Sequence, residues 1–214
     1  MRIQVKVCGI TRVEDARAAT RMGVDYLGVI FYPKSPRCAP REMLENLLLA
    51  IPDGKRVMVD VSPDTTMLRE RVDMGFDYCQ IHFDGATTTP EKVAGWSKAV
   101  GPQRLWLAPR LTPGEDFPEY LFDLAETIVV DSYKNGEFGG TGETNSWQRF
   151  ERLKLEHPEK RLILAGGLGP GNLAAALTAT RASAVDLNSG IESAPGVKDL
   201  NKLAAALEII RKQS

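Results

Sequence analysis

Cys8 closes the opening run MRIQVKVC and is followed at once by Gly9, Ile10 and Thr11. A buried cysteine ordinarily packs as a small hydrophobe. At a strand end facing a cleft, the same thiol can take or give a proton. Asp131 ends a second apolar run, Ile128-Val129-Val130, where a carboxylate either caps the next loop or acts as an acid. Arg37 sits in the proline-stiffened segment SPR. A guanidinium held that way can grip a carboxylate through two hydrogen bonds; unheld, it is an ordinary surface arginine. His82 follows Tyr78 to Ile81 and suits a structural hydrogen bond as well as a ligand contact.

Two late loops carry a different chemistry. One is Ala165-Gly166-Gly167-Leu168; the other is Asn188-Ser189-Gly190. Glycines let backbone N–H groups approach an anion closely, and a short following helix adds a favourable dipole. A lone Gly-Gly is equally a tight turn, but two such loops in succession suit a phosphate. Asp186, in the run that feeds the second loop, is a further candidate contact. Ser132 through Thr144 forms a long glycine-rich stretch that includes FGGTG. Loops of that length in compact domains tend to be functional, and this one could close over a substrate beside Asp131.

These residues need a frame that brings their run ends together. Short β-branched runs predict strands at Gln4 to Val7, Tyr26 to Ile30, Arg56 to Val61, Tyr78 to Ile81, Leu105 to Ala108, Thr127 to Val130, Leu162 to Ala165 and Ala184 to Leu187. Amphipathic stretches between them predict helices at Val13 to Met22, Glu42 to Ile51, Thr65 to Met74, Pro90 to Val100, Pro118 to Ala125, Trp147 to Glu156, Pro170 to Thr180 and Lys198 to Lys212. Thr11-Arg12-Val13-Glu14 has the form of a capping box. Gly23 and Gly75 stand where a left-handed cap favours glycine. Pro90 and Pro170 suit a first helical turn, where no N–H is needed.

Eight strand–helix units with no linker predict one (β/α)8 barrel over residues 1–214, an α/β fold. A doubly wound open sheet has the same alternation and is the competing architecture. In either, chemistry belongs at the carboxyl ends of the strands.

Composition narrows the partners. A net charge of -1 argues against a nucleic-acid binder, which shows a basic surplus. No apolar run approaches the roughly 18 residues of a membrane span, and the start does not read as a signal peptide. Cys8, Cys38 and Cys79 have no metal-type or CxxC spacing, so neither a metal site nor a disulfide scaffold is expected. A cytoplasmic protein with free thiols follows, working as a monomer or homodimer on a small phosphorylated substrate.

The stretches KVCGIT, GVIFYPKSPR, VVDSYKNGEFGGTG, LAGGLGPGN and DLNSGIESAPGVKD together resemble the phosphoribosylanthranilate isomerase family, in family order and over nearly the whole chain. The resemblance implies a barrel without cofactor or metal. It implies an Amadori rearrangement of N-(5-phosphoribosyl)anthranilate to 1-(2-carboxyphenylamino)-1-deoxyribulose 5-phosphate, a step of tryptophan biosynthesis. By matching motif, Cys8 is the general base, Asp131 the general acid and Arg37 the clamp on the anthranilate carboxylate. The chemistry suits the residues: an acid opens the ribose ring to an iminium, and a base removes the neighbouring carbon-bound proton.

The chain also departs from the family pattern. Gln80-Ile81-His82-Phe83 places a phenylalanine where the family commonly has glycine, which is expected to reshape the pocket mouth. Asp60 in VMVDV replaces an apolar residue and, facing inward, would be a costly buried carboxylate. LWLAPRL lacks a lysine frequent there, and Cys38 replaces an aromatic. Two other readings remain at this point: another phosphosugar isomerase on the same barrel, and a drifted barrel that only binds a phosphometabolite.

Overall fold

Side chains alternate along a strand. When a parallel sheet closes, one set of residues fills the inside and the other meets the surrounding helices, so both faces read apolar. The computed structural model describes residues 2–112, 115–131 and 143–213, and its strands follow this rule. They are β1 (Gln4–Val7), β2 (Tyr26–Ile30), β3 (Arg56–Val61), β4 (Tyr78–Asp84), β5 (Leu105–Arg110), β6 (Thr127–Asp131), β7 (Arg161–Ala165) and β8 (Ala184–Leu187). They form a closed barrel in sequence order. The seam pairs Gln4, Val5, Lys6 and Val7 of β1 with Ala184, Val185, Asp186 and Leu187 of β8, in parallel. That seam excludes the doubly wound alternative, which leaves two edges open.

The surrounding helices are α1 (Val13–Arg21), α2 (Leu44–Ala50), α3 (Thr65–Asp73), α4 (Pro90–Val100), α5 (Leu121–Leu124), α6 (Glu143–Glu156), α7 (Leu173–Thr180) and α8 (Leu200–Gln213). A small antiparallel ribbon, β9 (Glu192–Ala194) with β10 (Val197–Lys198), lies between β8 and α8. Leu27, Met58, Ile81 and Leu107 pack outward against helix residues such as Ala16, Leu68, Trp96 and Leu203. Val57, Val59, Trp106, Val129 and Ile163 fill the inside. Truncating a fully buried leucine in such a layer costs about 2–5 kcal/mol. Among the described residues, no helix is long and apolar enough to cross a membrane.

Several local expectations change. Thr11 does not cap α1. Its hydroxyl donates to the Gly196 carbonyl at 2.6 Å, while Arg12 holds the cap position without a side-chain bond. The long-range contact to the ribbon outcompetes the local box. Pro170 precedes α7, which starts at Leu173. The first part of the second helical stretch, Arg41–Met43, is a tighter 3-10 turn, and α5 is a single turn. Strand β4 runs on to Asp84, so His82 lies within it and not beyond it. Gly23 and Gly75 do adopt left-handed conformations after their helices, and Pro90 does open α4.

Of two departures from the family pattern, Phe83 turns out differently from expectation, while Asp60 is buried as expected although its strand position alternates outward. Phe83 alternates outward and packs tilted against Trp96 of α4, ring centres 5.4 Å apart, and it is not among the residues lining the cleft. Asp60 falls in the same alternation as outward-facing Met58, between inward Val59 and the strand end. Its Oδ1 accepts from the Val61 N–H at 2.7 Å. Burial raises its carboxyl, while the Val61 bond and the Arg71 guanidinium of α3 oppose that rise.

Candidate active site

The carboxyl ends of the strands surround a cleft of about 420 Å³. Cys8, Arg37, His82 and Asp131 line it, joined by Gly166, Gly167, Asp186, Asn188 and Ser189. Asp60 and Gln80 border it as well, although neither was a sequence candidate. Gly190 is not on the lining. A second concavity, about 760 Å³, opens at the opposite end around Tyr78, Thr127 and Arg161. None of the candidate residues lies there.

Cys8 follows β1, and its N–H donates to the Leu187 carbonyl at 2.8 Å. That bond ties it to the barrel seam. Its side chain faces inward with only 4% exposure. Two residues earlier, and therefore on the same face, is Lys6. The seam register sets Lys6 directly opposite Asp186. Their side chains meet at 2.6 Å, with the lysine fully buried. A Cβ added to Gly28 would lie 3.0 Å from both the Cys8 sulfur and the Lys6 Nζ. Glycine there leaves the space in which thiol and ammonium meet. Burial pushes the Cys8 thiol above its ordinary value; Lys6 opposes that rise and Asp186 adds to it. Burial alone would lower Lys6, but Asp186 and Cys8 outweigh it and hold the ammonium above the usual lysine value.

On the facing wall, Gln80 and His82 project inward from β4. The Gln80 amide Nε2 donates to His82 Nε2 at 2.9 Å, which leaves the ring proton on Nδ1. Burial, and then the charge of Lys6, push His82 down to about 4. The ring is therefore neutral around pH 7, a hydrogen-bonding surface and not a cation.

Arg37 is already held. Its Nε donates to both Glu192 oxygens, at 3.0 and 2.9 Å, and its Nη2 donates to Oε2 at 2.7 Å. Glu192 also accepts from Lys198 Nζ at 2.8 Å and from the Gly196 N–H at 3.1 Å. Burial would raise the Glu192 carboxyl; Arg37 and Lys198 outweigh it and hold it below the usual range. Two cations thus surround one carboxylate, and the cluster keeps a positive balance toward the cleft. Lys198 reaches Asn188 Oδ1 as well, at 3.0 Å. A Cβ on Gly9 would come within 2.8 Å of that same Oδ1 and 3.0 Å of Arg37 Cδ, which accounts for the glycine after Cys8.

The two glycine loops meet at the far side. Gly166 and Gly167 have φ of +104° and +61°, a left-handed backbone that glycine adopts without strain, and both line the cleft with Ser189. Asn172 ties this loop down. Its Oδ1 accepts from the Gly169 N–H at 2.9 Å, and its Nδ2 donates to the Gly167 carbonyl at 3.2 Å. Gly190, whose expected ligand contact is a separate matter, is also where the two loops touch. A Cβ there would collide with the Leu168 carbonyl, and one on Gly169 would collide with the Gly190 carbonyl. The pair lets the two loops pack backbone to backbone.

Asp131 is the last residue of β6, exposed at the rim. The segment after it, with FGGTG and its expected closure, lies outside the described residues. Sequence reasoning missed Lys6, Glu192 and Lys198. Lys6 was visible through its spacing of two from Cys8 on a strand. Glu192 and Lys198 lie inside the phrase SGIESAPGVKD, but their pairing with Arg37 spans too many residues for any local signal.

Residues 5–209 match the family model described as N-(5'phosphoribosyl)anthranilate (PRA) isomerase. An N-(5'-phosphoribosyl)anthranilate isomerase from Zymomonas mobilis subsp. pomaceae is 34% identical over 99% of each chain. The solved phosphoribosyl anthranilate isomerase of Thermus thermophilus superposes with a TM-score of 0.78 at 29% identity, over 99% of this chain and 100% of that one. Another solved isomerase, held in complex with reduced 1-(o-carboxyphenylamino)-1-deoxyribulose 5-phosphate, gives 0.76 at 25% identity over 98% and 99%.

Proposed function

The chain belongs to the N-(5'-phosphoribosyl)anthranilate isomerase family, and from that premise we propose how its cleft divides the work of the reaction. The enzyme converts N-(5'-phosphoribosyl)anthranilate to 1-(2-carboxyphenylamino)-1-deoxyribulose 5-phosphate, an Amadori rearrangement of tryptophan biosynthesis. A cytoplasmic location suits that role, and the free thiols agree with it.

One observation carries the assignment: a buried thiol and a rim carboxylate, Cys8 and Asp131, border the same cleft from β1 and β6. Between them lie a cationic cluster and two glycine loops. Asp131 gives its proton to the ribose ring oxygen. The C–O bond breaks, and the nitrogen lone pair forms the iminium. Cys8, as thiolate, removes the proton from the adjacent carbon, and those electrons neutralise the iminium as an enolamine. Ketonisation then gives the product. The free edge of Arg37 pairs with the anthranilate carboxylate. Gly166, Gly167 and Ser189 offer backbone N–H groups to the phosphate, an arrangement frequent after the seventh and eighth strands of such barrels. Asn188 and neutral His82 face the sugar. Asp186 faces the cleft as well, but its bond to Lys6 makes it a support more than a substrate contact.

Phosphoribosylanthranilate is fluorescent, and its consumption by the purified protein tests the activity directly. Loss of fluorescence with formation of the aminoketose is expected. Consumption at the uncatalysed rate would overturn the reading and favour a barrel that only binds.

A further inference from the structure

The ion pair of Lys6 and Asp186 occupies a costly place. Both groups are withdrawn from water inside the barrel. An ion pair in such a place is often replaceable by apolar residues of similar size without loss of stability. Its neighbours in the interior, Val57, Val59 and Ile163, are of that kind. Folding therefore gives no reason for the pair, but its location does. Lys6 shares a strand face with Cys8. Gly28 leaves a gap that both the ammonium and the sulfur border, each 3.0 Å from the place a Cβ would take. Register places Asp186 opposite Lys6 and nowhere else.

We propose that Lys6 is a positioning residue for Cys8: its ammonium, fixed by Asp186, holds the sulfur in place and stabilises it as the thiolate that takes the substrate proton. Removing the ammonium leaves the thiol to burial and to Asp186, both of which favour the protonated form. The other charged groups around the site do not replace it. Lys198 on the ribbon acts on Cys8 more weakly than Lys6 and is engaged by Glu192 and Asn188. Arg37 is bound to Glu192. Neutral His82 on β4 contributes no charge near pH 7, and Asp131 on β6 is anionic when ionised.

The proposal rests on Cys8 being the base, and the test separates the two claims. Lys6→Met alone strands a buried carboxylate and can unfold the chain, so the Lys6→Met/Asp186→Asn double variant is made beside it. Both are built in a Cys38→Ala background. Cys79 can remain, since burial pushes its thiol up to about 12. Thiolate absorbance against pH, with a Cys8→Ala chain as blank, reads the Cys8 titration. The pH profile of kcat/KM reads its use.

In the double variant the thiol midpoint should rise by about one unit, a tenfold loss of thiolate at a given pH below the midpoint. The rise is expected although Asp186 is also neutralised, because the Lys6 effect is the larger of the two and includes a hydrogen bond. The rising limb of kcat/KM should move with it, kcat near neutrality should fall about tenfold, and KM should change little. A folded double variant with an unchanged thiol midpoint overturns the role of Lys6. Should Cys8→Ser turn over normally, the base assignment fails instead, while the thiol titration still reports on Lys6.

Discussion

Glu192 grips Arg37 along its Nε and Nη2 edge, at 2.9 and 2.7 Å, across 155 residues of sequence. The guanidinium is thus aimed before any ligand arrives, and its remaining donors are what a substrate carboxylate can use. Arg37→Met should raise KM by about 10- to 100-fold, the range of a lost charged hydrogen bond of about 1.5–3 kcal/mol, with kcat less affected. Glu192 keeps Lys198 in that variant, so the chain should fold. Product analogues with and without the aromatic carboxylate provide the check. Equal loss for both would remove Arg37 from the clamp.

The same pair predicts an acid limit. The Glu192 carboxyl lies below its ordinary value in the folded chain. Its stabilising contribution is full above the unfolded value of about 4.3 and disappears as pH falls through the folded one. The difference in thermal midpoint between the wild type and Glu192→Gln should be widest near neutrality and close as pH falls below about 4. A gap that stays constant down to pH 3, on the order of a unit below that value, would refute the linkage.

His82 acts over a higher window with its own sign. The unfolded ring takes a proton at about 6.5, and the folded ring only at about 4. Stability should therefore decline as pH drops from 6.5 toward 4 and be indifferent to this group above 6.5. The ring is partly open to the cleft, which softens the slope. In His82→Gln the decline should be shallower, as denaturant unfolding at several pH values would reveal.

The proposed acid and base separate by conservative replacement. Cys8→Ser keeps the size but loses a usable base, and Asp131→Asn keeps the shape but loses the acidic proton. Each should cut turnover by at least about 10²-fold with little change in thermal midpoint. Because burial raises the Cys8 thiol, wild-type kcat/KM should climb with pH through neutrality. Normal turnover in either variant assigns its role elsewhere.

Gly190→Ala would drive a methyl group into the Leu168 carbonyl. The loops carrying Gly166 and Ser189 must then separate. Overpacking of this sort costs about 1–3 kcal/mol, and affinity for a phosphorylated product analogue should fall while affinity for anthranilate alone does not. Equal affinities for both ligands before and after substitution would contradict the loop assignment.

The sequence by itself determined the barrel's parts. Strand limits at Gln4, Tyr26 and Ala184 follow from β-branched runs, and Pro90 and Gly75 mark helix ends by their backbone limits alone. It also named Cys8, Arg37 and Asp131 as candidates from their phrases, and the fold gathers all three around one cleft. Long-range partners lay beyond it. Closure depended on β1 meeting β8, which no local pattern encodes, and that seam alone put Lys6 against Asp186. Tertiary contact took Thr11 from its cap to Gly196 and turned Phe83 away from the cleft onto Trp96. The first bond lies beyond the reach of a local box; the second follows from counting a strand that runs three residues past its apolar signal. Composition and spacing name a group, but the field that sets its charge comes from whatever the fold packs beside it, as Lys6 and Asp186 are packed beside Cys8.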